Sequence, residues 1–229
     1  ASYSLDAATH AGECSFCGAP VVAKTAQYRE LPPQALLPFK VTRDQARSTF
    51  RQWLGSLWFA PGKLKDYARN DARLTGMYVP YWTYDADTAT SYQGERGDNY
   101  QVQETYQAME NGKAVLRTRI VTKIRWRPAS GRVSRFFDDV LVLASRSLPR
   151  EITERLEPWD LANLTPYQEA YLSGFRSEMY QVELDQGFER AREIMAITIC
   201  RDIERDIGGD HQRIHAMETR YGDIRFKHI

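Results

Sequence analysis

The residues best suited to chemistry in this chain are two cysteines. Cys14, Ser15, Phe16, Cys17, Gly18 and Ala19 form a C-x-x-C-G-A knuckle. Two thiolates at that spacing on a tight turn can grip one face of a tetrahedral Zn²⁺, and Gly18 frees the backbone to fold around the sulfurs. A closed structural site takes four ligands. The third cysteine, Cys200, lies far away in a helical pattern, where it reads as a small core residue, and the nearest histidine is His10. Residues 1–22 therefore read as part of a zinc ribbon, its second knuckle, with the other two ligands expected upstream. Other readings stay open. A redox pair would open a helix after a strand, whereas Pro20, Val21 and Val22 suit a strand. A disulfide or inert thiols are the remaining alternatives. A completed ribbon is a structural staple and performs no reaction.

The second candidate is a basic run. From Arg117 to Arg135 there are seven cations and no acid. Arg117, Arg119, Lys123, Arg125 and Arg127 fall at odd positions, so a regular strand presents them on one face, as a possible anionic-ligand surface. Tyr100 and Tyr106 are expected beside them. Cations interleaved with aromatics can hold single-stranded nucleic acid or anionic lipid headgroups; a solvated sheet face partly neutralised by Glu104 is the plainer reading. The other face carries Leu116, Ile120, Ile124 and Trp126 and reads as core. Asp138 and Asp139 are adjacent, so on a strand they point to opposite faces and make no acid–base dyad. His211 and His215, four apart, would share a face of a helix but lack the neighbours of a metal site.

Several functional classes lose support. No G-x-x-x-x-G-K-[ST], G-x-G-x-x-G, G-x-S-x-G or H-E-x-x-H occurs. The net charge of +1 lacks the basic excess of a dedicated nucleic-acid binder. No apolar run reaches the ~18 residues of a membrane span. The 229 residues, 42% hydrophobic, suffice for one large domain or two small ones. Both ends read as cuts.

The elements that must position these residues follow from periodicity. Residues 23–41, with Pro32, Pro33 and Pro38, read as an extended connector, and residues 42–229 as an α+β domain. Thr42 and Gln45 form a capping box for a helix carrying Ala46, Phe50, Trp53, Leu54 and Leu57. A second short helix is expected from Pro61 to Arg69. Residues 77–84 make an aromatic strand. Residues 100–109 and 114–126 make a hairpin around Asn111-Gly112, in which Glu104 faces Arg119. Arg96-Gly97-Asp98 reads as a turn, and residues 140–143 as a further short strand. A long helix is expected over 177–207, with a stripe of Met179, Val182, Phe188, Ala191, Met195, Ile199 and Ile203, ended by Gly208-Gly209. Helices, then a sheet, then helices and a strand give an α+β fold: an antiparallel sheet with a long hairpin, packed by helices and preceded by part of a zinc ribbon.

The segments C-S-F-C-G-A-P-V-V at 14–22, L-P-F-K-V-T at 37–42, W-L-G-S-L-W-F-A-P at 53–61, Y-V-P-Y-W-T-Y-D-A at 78–86, R-F-F-D-D-V-L-V at 135–142, S-R-S-L-P at 145–149, Y-L-S-G-F at 171–175 and R-Y-G-D-I-R-F-K-H at 220–228 resemble a bacterial family of TFIIB-type zinc-ribbon proteins, commonly labelled "primosomal protein N′ (replication factor Y)". The resemblance implies Cys14 and Cys17 as two of four ligands of a structural Zn²⁺, completed by an upstream C-x-x-C. It also implies a chain that continues towards a hydrophobic anchor, and an adaptor beside flotillin-like or phage-shock membrane proteins. The leading expectation is a non-enzymatic scaffold or adaptor, cytoplasmic or at the cytosolic face of the inner membrane, binding protein partners and anionic lipid. Nucleic-acid binding in replication or transcription is the alternative. An unrecognised enzyme with a pocket lined by Tyr78, Tyr81, Trp82 and Tyr84 is the third reading.

Overall fold

The computed structural model describes residues 9–13, 19–22, 31–57, 74–110 and 113–229. Cys14, Cys17, the helix expected over 61–69 and the Asn111-Gly112 turn lie outside them. The architecture is α+β, with mainly antiparallel sheets and a long hairpin. The chain divides into two compact units, each discontinuous in sequence. The first holds Ala1–Thr83, Leu141–Glu189 and Phe226–Ile229; the second holds Tyr84–Val140 and Arg190–Arg225.

In the first unit, β1 (Thr9–Glu13) and β2 (Pro20–Val22) pair antiparallel, with Glu13 opposite Pro20. They join β8 (Arg176–Glu178) and β4 (Met77–Tyr78) in a sheet of order β2-β1-β8-β4. Its β4–β8 pair is parallel. β3 (Ala35–Leu36) pairs with β7 (Thr165–Pro166), so the connector expected over 23–41 includes a short strand. Helix α1 (Arg43–Ser56) starts as its sequence dictates. Gln45 N–H donates to Thr42 Oγ1 at 3.3 Å and Thr42 N–H donates to Gln45 Oε1 at 2.9 Å, which satisfies two otherwise unpaired helix-end donors. A short helix α2 (Arg150–Glu154) follows later. The core gathers on Trp82, which is fully buried. Its indole N–H donates to the Val182 carbonyl at 2.9 Å, and its ring lies 5.0 Å from Tyr180 and 4.8 Å from His228.

Strands β5 (Tyr81–Glu110), β6 (Lys113–Leu143) and β9 (His211–His228) form a three-stranded sheet of order β6-β5-β9. Their residues in the second unit carry helix α3 (Leu184–Ile207) from Arg190 onward. Ala191, Met195, Ile199, Ile203 and Ile207, each four residues apart, are all buried. That spacing draws one line down a helix. Even-numbered Tyr84, Ala86, Thr88, Thr90 and Tyr92 of β5 are also buried, as alternation requires of one covered sheet face. Tyr92 donates to Asp206 Oδ2 at 2.6 Å, tying this face to α3. Arg135 grips Asp202 with two bonds, at 2.6 and 2.7 Å.

Four expectations change. The helix predicted from residue 177 starts at Leu184, because Ser177 is a strand residue lying between Ala11 of β1 and Tyr78 of β4. Residues 140–143 are the end of β6 rather than a separate strand. Arg96-Gly97-Asp98 continues β5 and is no turn. A Cβ on Gly97 would come within 2.9 Å of both Ile124 and Trp126, so the glycine permits close packing there. His211 and His215 lie on β9, not on a helix. The predicted helix stop holds: Gly208 and Gly209 take φ of 64° and 79°.

Candidate functional site

The hairpin β5–β6 positions the basic residues. β9 begins beside Gly97, where Asp210 N–H donates to the Gly97 carbonyl at 2.9 Å. Beyond that point β5 and β6 run on as a two-stranded arm. Between residues 98 and 127 its sequence holds six cations and three carboxylates; the described ones lie at even positions on β5 or odd positions on β6, and therefore on one face. Glu104 meets Arg119 at 3.4 Å, as the turn position predicts, and Lys123 at 2.7 Å. Asp98 pairs with Arg127 and with Arg96, the latter at 2.9 Å. The Arg119 guanidinium lies 5.3 Å from the Tyr106 ring centre and that of Arg125 lies 4.7 Å from Tyr100. Lys123 and then Arg119 hold the Glu104 carboxyl below the usual range, while Arg127 and then Arg96 do the same for Asp98. Arg117, Arg119, Lys123, Arg125 and Arg127 are thus brought onto one solvent-exposed face, laced with tyrosines and partly neutralised.

The opposite face departs from expectation. Leu116 and Met109 are each 73% exposed, Ile120 65% and Ile124 41%, so most of the expected core is open. Alternation says which side chains share a face, not whether anything covers it. Trp126 alone is half-buried, with the Arg213 guanidinium 3.8 Å above its ring.

Asp138 and Asp139 also depart from expectation. Asp139 takes φ of 50°, which breaks the alternation, and its N–H donates to Asp85 Oδ1 at 2.9 Å. Carboxylate oxygens of Asp85, Asp138 and Asp139 consequently converge within 4.8 Å of one another. The acidic pair is therefore convergent, although sequence adjacency argued otherwise. His211 and His215 do not converge. His211 Nε2 lies 3.1 Å from Asn99 Oδ1, and His215 lies 3.4 Å from Glu95. Four residues along a strand separate them by about 13 Å, too far for one ion. Cys200 is half-buried, its Sγ 3.8 Å from Met217 Sδ.

The feature that sequence reasoning did not resolve is a cavity of about 640 Å³ in the first unit. Its wall is mostly apolar and includes Leu36, Tyr78, Tyr81, Leu148, Trp159 and His228. The size suits a small-molecule or side-chain ligand. Of the aromatic strand, Tyr78 and Tyr81 line it, while Trp82 and Tyr84 belong to the buried core. At its edge, Ser145 and Ser147 both donate to Glu178 Oε2 at 2.6 Å, and Lys40 pairs with Asp160 at 3.1 Å. Burial raises the Tyr78 phenol and lowers the His228 imidazole, the latter despite its bond to the Leu31 carbonyl.

Of the expected zinc ribbon, the described residues show only the flanking strands, paired up to Glu13 and Pro20; Cys14 and Cys17 lie outside them.

The fold defines an α+β protein with a charge-segregated β-hairpin. The chain is similar to YdjG of Bacillus subtilis (strain 168), described as an uncharacterised protein, with 26% identity over 163 residues. That match covers 71% of this chain but 44% of the relative's length. No family model matches the chain, and no solved structure does. Among the described residues, no helix is long and apolar enough to cross a membrane.

Proposed function

We propose that this protein is a non-enzymatic zinc-ribbon adaptor at the cytosolic face of a membrane, where it binds protein partners and anionic lipid. The observation that carries this reading is the hairpin arm: its cations and two tyrosines share one exposed face with an excess of three positive charges between residues 98 and 127. Such a face is attracted to an anionic bilayer with about 1 kcal/mol per basic residue, and tyrosines suit the interface. The β1–β2 pairing supports the ribbon, with Cys14 and Cys17 supplying two thiolates to a structural Zn²⁺. The test is sedimentation with phosphatidylglycerol vesicles against phosphatidylcholine vesicles, using the native chain and a quadruple variant R119E/K123E/R125E/R127E. Binding that requires both the anionic lipid and the four cations supports the reading; equal binding by the variant overturns its lipid part.

The stacking of Arg119 and Arg125 on tyrosines favours a second reading, binding of single-stranded nucleic acid. It predicts affinity that falls steeply with salt, and no binding to an oligonucleotide at low salt would dismiss it.

A further inference from the structure

The uncharged face of the hairpin arm is unexplained by a lipid-binding role, because it points away from the cations. From residue 99 to 109 on β5 and 114 to 124 on β6, the positions sharing this face carry only aliphatic, Thr, Asn and Gln side chains. Its most apolar row lies on β6: Leu116, Thr118, Ile120, Thr122 and Ile124. Three of these are large and open to solvent, and Met109 stands beside them from the other strand. A charge-free, aliphatic surface of this kind has the composition of an interface centre, where charged residues are depleted.

The row is also palindromic. It reads aliphatic, Thr, Ile, Thr, aliphatic, with Ile120 at its middle. We propose that two copies of this chain stack these faces about a two-fold axis passing through Ile120. In such an isologous contact residue i meets j and j meets i, so a palindromic row matches itself. Ile120 meets Ile120 of the partner subunit, Leu116 lies over the partner's Ile124, and threonine meets threonine. The β5 residue paired with Ile120 by the hairpin register is Gln103, and the amides around it can both donate and accept across the seam. Sheets pack face to face about 10 Å apart, which these side chains span. Within residues 99–109 and 114–124 the contact buries no charge, the Arg213 guanidinium over Trp126 marks its end, and both cationic faces turn outward, away from each other. This arrangement stands whether or not the cationic face binds lipid.

Eleven residues of strand make a face about 35 Å long and about 12 Å wide. The pair would bury on the order of 1,000 Å², the lower limit for a specific contact.

Sedimentation velocity of the full chain from low to several hundred micromolar tests the proposal, with circular dichroism confirming that each variant is folded. The native chain is expected to shift from monomer to dimer. Ile120→Asp should raise the dimer Kd at least tenfold, and the milder L116S/I124S pair serves if I120D fails to fold. R117E/R119E, on the other face of the same strand, should leave the dimer intact. A native chain that stays monomeric throughout overturns the proposal. So does a dimer insensitive to both uncharged-face variants. Loss of vesicle binding by I120D without any self-association would instead assign this face to the bilayer and also overturn it.

Discussion

Ile197 and Ile199 sit two residues apart on α3, and the same substitution at each should have opposite consequences. Ile199 is 1% exposed and Ile197 is 59% exposed. Ile199→Ala removes buried methyl and methylene groups facing the sheet and leaves a cavity beneath the helix; large-to-small changes of this type cost about 2–5 kcal/mol. Ile197→Ala removes little buried area. Alanine is also the better helix former by a few tenths of a kcal/mol, so the change is neutral or slightly stabilising. For a chain of this size, about 2–5 kcal/mol lowers Tm by about 4–20 °C. Urea unfolding followed by far-UV circular dichroism reads both variants. A loss of less than ~1 kcal/mol in I199A, or equal losses in the two, would refute the seating of α3 on the even face of β5.

Further outcomes follow from the same physics. His228 is buried against Trp82 and Tyr180 with its pKa below the ordinary 6.5, so the unfolded chain takes up a proton that the folded chain resists. Stability should be level above pH 6.5 and fall as pH drops below it, and His228→Gln should remove that slope. An unchanged slope in the variant contradicts the assignment. Asp98, Glu104 and Asp202 all have lowered pKa values, so their contribution is lost only at more acidic pH. The Tyr92 phenol, pushed up to about 12 by burial and then by Asp206, should be among the last tyrosines to ionise in a spectrophotometric titration; Tyr92→Phe should delete that step at a stability cost of about 1 kcal/mol. Leu36→Trp should fill part of the 640 Å³ cavity and reduce binding of a hydrophobic dye; unchanged dye binding would place the dye elsewhere.

Local features of the fold were legible in the sequence, and long-range ones were not. The Thr42–Gln45 cap and the Gly208-Gly209 stop depend on a few neighbouring residues, and both stand as expected. So does the line from Ala191 to Ile203, since a helical period needs no knowledge of the partner. The start of α3 was misread because strand pairing to β1 and β4 overrides a helical pattern at Ser177. Arg96-Gly97-Asp98 has turn-like composition, yet the reason for Gly97 is the close approach of Ile124 and Trp126. The convergence of Asp138 and Asp139 depends on one backbone angle that composition does not disclose. At the candidate site, the shared face of the five cations follows from alternation alone. The cavity does not: its wall joins residues near 36, 78, 159 and 228, which only the folded chain brings together.

The adaptor reading is tested most directly by purifying the protein from native membranes and measuring metal on the same sample. The account predicts recovery with a defined membrane-associated protein partner and one zinc per chain. Recovery from the soluble fraction, without such a partner or metal, would contradict it.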